Sequence, residues 1–176
     1  ERQIRYWLLD MDGVLIHEED PIPGAPEFIN RLKELEIPFL VLTNSSIYSR
    51  RDLSARLHRS GLEVPEKSIW TSALATATFL QDQRPNGSAF VVGEPGLATA
   101  MHEAGYTINE SDPDYVVLGE TRTYSFERIT QAIRLILKGA RFIATNPDNV
   151  GPAPGGVLPA TGSVAALISR ATGVDP

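Results

Sequence analysis

Residues Tyr6 to Val14 constrain the fold more tightly than any other stretch of the chain. The apolar run Tyr6-Trp7-Leu8-Leu9 reads as a short buried strand, and Asp10-Met11-Asp12-Gly13 falls where that strand should end. In an open α/β sheet, ligands bind at the carboxyl ends of parallel strands. Carboxylates spaced i, i+2 on extended chain point the same way, so Asp10 and Asp12 can face one crevice. Gly13 lets the backbone turn sharply and come close to whatever the carboxylates hold. One carboxylate can attack phosphorus or bind Mg²⁺ while its neighbour handles a proton, a division of labour suited to phosphoryl transfer. Asp-x-Asp-Gly also occurs in plain turns, where Asp caps its own backbone. A calcium loop is excluded, because Val14-Leu15-Ile16 supplies neither the further oxygen ligand nor the central glycine it requires.

Strands and helices alternate along the rest of the chain, which argues for parallel sheets with helices packed outside them. Pro21-Ile22-Pro23-Gly24 is a turn, and Pro26 suits a first helical turn. Phe28, Ile29, Leu32 and Leu35 recur at helical spacing up to the breaker Pro38. A second apolar strand, Phe39-Leu40-Val41-Leu42, runs into Thr43-Asn44-Ser45-Ser46. Ser49 or Ser46 can cap a helix carrying Leu53 and Leu57 and stopped by Gly61. Ser68-Ile69-Trp70 reads as a third strand, and Ser72 can cap a helix with Ala73, Ala77 and Leu80 inward. Pro85-Asn86-Gly87 is the expected domain boundary, giving domains 1–84 and 85–176. Beyond it come the strand 89–92, a helix 95–104 with Leu97 and Met101 inward, and the strand 115–118. Phe126, Ile129, Ile133 and Ile136 then form an amphipathic stripe closed by Gly139, followed by the strand 141–144. A Pro/Gly-rich loop runs to Pro159, and Val164, Leu167 and Ile168 mark a last helix, with Ser163 as its expected N-cap.

Composition narrows the function classes. A chain of 176 residues, 42% of them hydrophobic, can fill the core of one α/β domain or two small ones. No stretch approaches the ~18 apolar residues of a membrane span, and no signal-peptide pattern is present, so no membrane partner is expected. Zero cysteines exclude disulfides and thiol catalysis. A net charge of −6 with no Lys/Arg stripe argues against a nucleic-acid partner. No Gly-x-x-x-x-Gly-Lys-Ser/Thr loop exists for a nucleotide kinase. His17, His58 and His102 are too scattered for a histidine metal site.

Taken together, the strand ending Asp10-x-Asp12-Gly13 and the strand ending Thr43-Asn44 resemble the haloacid dehalogenase (HAD) superfamily. The later motif Ala144-Thr145-Asn146-Pro147-Asp148, followed by Gly155-Gly156 and Thr161-Gly162-Ser163, is similar to its NagD-like, p-nitrophenyl phosphatase branch with a type 2A cap. The resemblance implies a Rossmann-like core with a parallel sheet plus an inserted α/β cap. It implies Asp10 as nucleophile, Asp12 as general acid/base and Thr43 as phosphate clamp, with Asn44 and Gly13 beside the phosphate. It further implies Mg²⁺ held by Asp10 and Asp12, and a small phosphorylated metabolite as substrate: sugar phosphate, nucleotide or phosphoglycolate-like. A cytoplasmic location and a homo-oligomer formed through the cap complete the expectation. Asn146 and Asp148 are either contacts to the leaving group or members of an ordinary turn.

The superfamily also uses a Lys and one or two later Asp after the cap. Lys33, Lys67 and Lys138 do not fit that part. The expectation is therefore the first two-thirds of a longer phosphatase, with the 176-residue chain inactive or barely active by itself. Two rivals stand beside it: a non-catalytic phosphate-binding or interaction protein, and a phosphoacceptor of the receiver type. Asp12 and the cap count against the second.

Overall fold

The computed structural model describes residues 5–153 and 155–176. Pro154, within the stretch read as a Pro/Gly-rich loop, lies outside the described residues. The chain forms two compact units: one holds the residues up to Asn44 and Tyr48–Thr71, the other Ser45–Ile47 and everything from Ser72 onward.

In the first unit, β1 is Trp7–Asp10, β2 Ile16–His17, β3 Asp20–Pro21, α1 Ala25–Glu34, β4 Phe39–Thr43, α2 Arg50–Arg59 and β5 Ile69–Thr71. Three strands pair in parallel in the order β1-β4-β5, with Asp10 opposite Leu42 and Thr43 opposite Thr71. Asp10 is thus the last residue of its strand. β1 is an edge, and Leu8 on it is 67% exposed. Ile29 and Leu32 of α1, Leu53 and Leu57 of α2 and Val41 of β4 share one buried core. Each such side chain contributes about 2 kcal/mol by leaving water. Leu35, expected on the inward stripe of α1, is instead its C-cap and half exposed, because the helix has already stopped at Glu34. Ser49, one of two caps expected, is the one used. Its hydroxyl accepts from the Asp52 amide, while the Asp52 carboxylate accepts from the Ser49 amide. The β2–β3 hairpin was not legible, because two residues per strand carry no periodic signal.

In the second unit, α3 is Ser72–Gln83, β6 Ser88–Val92, α4 Pro95–Glu103, β7 Thr107–Ile108, β8 Tyr115–Leu118, α5 Phe126–Leu137, β9 Arg141–Ala144, β10 Val150–Ala153, β11 Gly156–Pro159 and α6 Thr161–Thr172. A four-stranded parallel sheet runs β7-β6-β8-β9. Its central strands are buried on both faces, as parallel sheets require. Ala89, Val91 and Val117 meet Ala77, Leu80, Leu97 and Met101 on one side. Phe90, Val116 and Leu118 meet Leu135, Ile136 and Ile168 on the other. The Pro85-Asn86-Gly87 turn, with Asn86 at φ 57°, joins α3 to β6 inside this unit. The units part after Thr71 because Ala73, Ala77 and Leu80 share a core with α4.

Three local expectations are corrected. Phe126 does not join the inward stripe of α5; it is 83% exposed, and Ala132, Leu135 and Ile136 carry the buried face. Ser163 is not the N-cap of α6. That position is Ala160, and the Ser163 hydroxyl donates to the Asn149 carbonyl at 2.5 Å. The Pro/Gly-rich stretch is not only loop, since β10 and β11 pair as an antiparallel hairpin. Among the described residues, no helix is long and apolar enough to cross a membrane.

Candidate active site

Parallel pairing carries two acids and a hydroxyl to one end of the first sheet. The ladder continues one bond past β1, where the Met11 amide donates to the Leu42 carbonyl at 3.0 Å. The chain then turns at once. Gly13 adopts φ 83°, a conformation that favours glycine. Among the described residues nothing would meet a Cβ there, so conformation, not crowding, explains the residue. The Gly13 amide donates to the Ile16 carbonyl at 2.8 Å, and the Leu15 and Ile16 amides both donate to the Met11 carbonyl. Met11, Leu15 and Ile16 are buried beneath this loop, which anchors the acids from below.

Asp10 and Asp12 are exposed and Thr43 is buried. The Thr43 hydroxyl donates to Asp12 Oδ2 across a long 3.4 Å. Asp12's carboxyl is held above the usual carboxylate range. Desolvation beside the loop is the largest cause, Arg56 opposes it, Asp10's charge adds to it and the Thr43 hydrogen bond offsets part. A carboxyl that keeps its proton more readily than usual is suited to donate one. Asn44 follows Thr43 as an exposed residue at the strand end.

Arg56 is the residue that sequence reasoning missed. It lies on α2 next to the buried Leu57, its Nη2 donates to the Glu18 carbonyl at 2.5 Å, and its charge reaches Asp12. Its only sequence signal is that position beside an inward leucine. Of the lysines, Lys33 is on α1, Lys67 in a 3₁₀ turn and Lys138 at the end of α5. Among the described residues no group of three or more His, Cys, Asp or Glu side chains is placed to hold a metal ion. The Asp10 carboxylate and the Asp12 main-chain carbonyl are hard oxygen donors that fit Mg²⁺, which commonly binds proteins through one or two carboxylates and keeps several waters.

Asn146 and Asp148 belong to the second unit. The Asn146 side-chain oxygen accepts from the Asp148 amide at 3.1 Å, so the turn foreseen as one alternative is present. Asn146 also lines a cavity of about 990 Å³ with Thr76, Phe79, Ile143, Ala165 and Arg170. His17 is exposed on β2, and His58 contacts Glu63 at 2.5 Å.

A parallel-sheet α/β protein with paired acids at a strand tip is the class so defined. Comparison with known proteins narrows it. The profile for haloacid dehalogenase-like hydrolases matches residues 7–107. A dihydroxyacetone phosphatase of Corynebacterium glutamicum is 62% identical over 170 residues, covering 97% of this chain and 62% of its own. The ribonucleotide monophosphatase NagD of Escherichia coli is 40% identical over 98% of this chain and 68% of its own. The crystal structure of a 4-nitrophenylphosphatase from Thermotoga maritima superposes with a TM-score of 0.92 at 35% identity, over 98% of this chain and 66% of its own. This chain belongs to the haloacid dehalogenase-like hydrolase family. It spans 62–68% of the length of these relatives.

Proposed function

We propose that the whole protein hydrolyses the phosphomonoester of a small metabolite through an aspartyl-phosphate on Asp10. The observation that carries this reading is the convergence of Asp10, Asp12 and Thr43 at the carboxyl ends of two paired strands. Asp10 attacks phosphorus in line as the bond to the leaving oxygen breaks, and protonated Asp12 gives that oxygen its proton. Asp12, now a carboxylate, takes a proton from water as the water attacks the phosphoryl group. Inorganic phosphate leaves and Asp10 is restored. The Thr43 hydroxyl and the Asp12 amide hold the equatorial oxygens, the electrostatic part of such catalysis. Mg²⁺, bound through the Asp10 carboxylate and the Asp12 main-chain carbonyl, would supply charge neutralisation of the phosphoryl group.

The second unit takes the part of the cap. Identity to a dihydroxyacetone phosphatase favours a triose phosphate over the nucleotides for which NagD is named. The test uses the protein at the length of its relatives, with and without Asp10→Asn. Dihydroxyacetone phosphate, ribonucleoside monophosphates and p-nitrophenyl phosphate are assayed with Mg²⁺. Wild type is expected to turn over the triose phosphate best, and the variant to fall at least about a thousandfold. Appreciable activity in Asp10→Asn removes the nucleophile assignment.

A further inference from the structure

The hairpin that follows the Asp12 turn has little of its own to hold it. β2 and β3 exchange only two residue pairs, and His17, Glu18, Glu19 and Asp20 are all exposed. Glu18 at its tip has φ 57°, left-handed backbone that costs a side-chain-bearing residue about 1 kcal/mol. Two-stranded hairpins of this size are marginal in water.

A side chain of α2 and the one at its C-cap meet that tip. Arg56 and Ser60, spaced i, i+4 on one helix face, donate to consecutive carbonyls: Arg56 Nη2 to Glu18 at 2.5 Å and Ser60 Oγ to Glu19 at 2.7 Å. The first bond is charge-assisted, the stronger kind. Arg56 Nε is enclosed without a partner among the described residues, so packing holds the guanidinium in place. From the tip the connection reaches the acids through Ile16, which is fully buried. Its carbonyl accepts from Gly13 and its amide donates to Met11, on either side of Asp12.

We propose that Arg56 and Ser60 form a latch that holds the Ile16–Pro21 hairpin onto α2, and that Arg56 is thereby a positioning residue for the Asp12 loop. The catalytic consequence rests on the phosphatase reading; the latch itself does not.

Hydrogen exchange on this chain tests the latch in Arg56→Met, Ser60→Ala and Arg56→Lys, with Arg59→Met on the exposed side of the helix as control. Amides of Ile16 and Ile22 should exchange about tenfold faster in the first two variants, while Val41 and Ile69 stay protected. Arg56→Lys, which keeps a donor and the charge, should recover most of the protection, and Arg59→Met should match wild type. Unchanged hairpin exchange in both Arg56→Met and Ser60→Ala overturns the latch. So does equal acceleration at Val41 and Ile69, the mark of general destabilisation. The second arm measures turnover of the protein at its relatives' length. Arg56→Met should lower kcat about tenfold with KM within about threefold, and Arg56→Lys should restore it. A freed hairpin with unchanged kcat overturns the positioning role alone. An inactive wild type of that length counts against the phosphatase reading, while the exchange arm still decides the latch.

Discussion

Gly162 offers a test in which two physical effects have opposite sign. It is the second residue of α6, and its backbone is not left-handed, so helix propensity alone favours alanine there by about 1 kcal/mol. The surroundings oppose that change. A methyl at Gly162 would lie 2.2 Å from the Pro147 carbonyl oxygen, 2.7 Å from its carbon and 2.8 Å from the Asp148 carbonyl oxygen. These are backbone atoms, fixed by the Gly162 amide donating to Asp148 at 2.8 Å and by the Asp148 amide donating to Asn146. Restoring ordinary contact needs a shift of roughly 1 Å, which forfeits dispersion and strains neighbours by about 1–3 kcal/mol. The displaced turn also loses a hydrogen bond, a further ~1 kcal/mol. Crowding should win, leaving Gly162→Ala about 1–3 kcal/mol less stable than wild type. For a chain of this size that lowers Tm by roughly 2–10 °C. Thermal unfolding followed by circular dichroism reads it directly. A Tm equal to or above wild type would refute the packing argument and leave propensity in control.

Removing the Ser49 hydroxyl (Ser49→Ala) takes away the acceptor for the Asp52 amide, leaves the Ser49 amide on the Asp52 carboxylate, and should cost about 1 kcal/mol, read from the urea midpoint. Leu80→Ala, at a fully buried position shared by α3 and the sheet, should cost about 2–5 kcal/mol in the same assay, and a loss below that range contradicts the core assignment. Asp114 gives a pH prediction. Burial raises its pKa, but the Ser88 amide and hydroxyl and Arg84 together outweigh burial and hold it below its ordinary 3.8. Its ionised form therefore adds stability above the unfolded value, and that contribution is lost as pH falls through the lower folded value. Asp114→Asn should be less stable than wild type at pH 7, with the gap closing below about pH 3.8; a gap that widens in acid would reverse the sign. In the protein at its relatives' length, Thr43→Val keeps the shape and removes the hydroxyl, so kcat should fall by about ten- to a hundredfold, measured against Asp10→Asn as the zero.

Much of the fold was legible because its signals are local. An apolar run closed by Asp10 and Asp12 marks a strand and its ligand-facing end, whatever surrounds it. Ser49 three residues before Asp52 encodes a cap, and Gly61 and Gly139 stop helices because both stand at positive φ. What the sequence could not carry was decided by partners distant along the chain. Phe126 sits at helical spacing from Ile133, yet the direction in which α5 meets the sheet leaves its ring in water. Ser163 has the chemistry of a cap, but the Asn149 carbonyl takes its hydroxyl.

By itself, then, the order of residues determined the alternation of strands and helices, the tip at which Asp10 and Asp12 stand, and the strand that delivers Thr43. Tertiary structure alone decided that Arg56 shares electrostatics with Asp12 and grips the hairpin tip 38 residues away. The reason is physical: periodicity and capping act within a few residues, whereas a guanidinium meets its carbonyl only after a whole sheet and helix have packed beneath it.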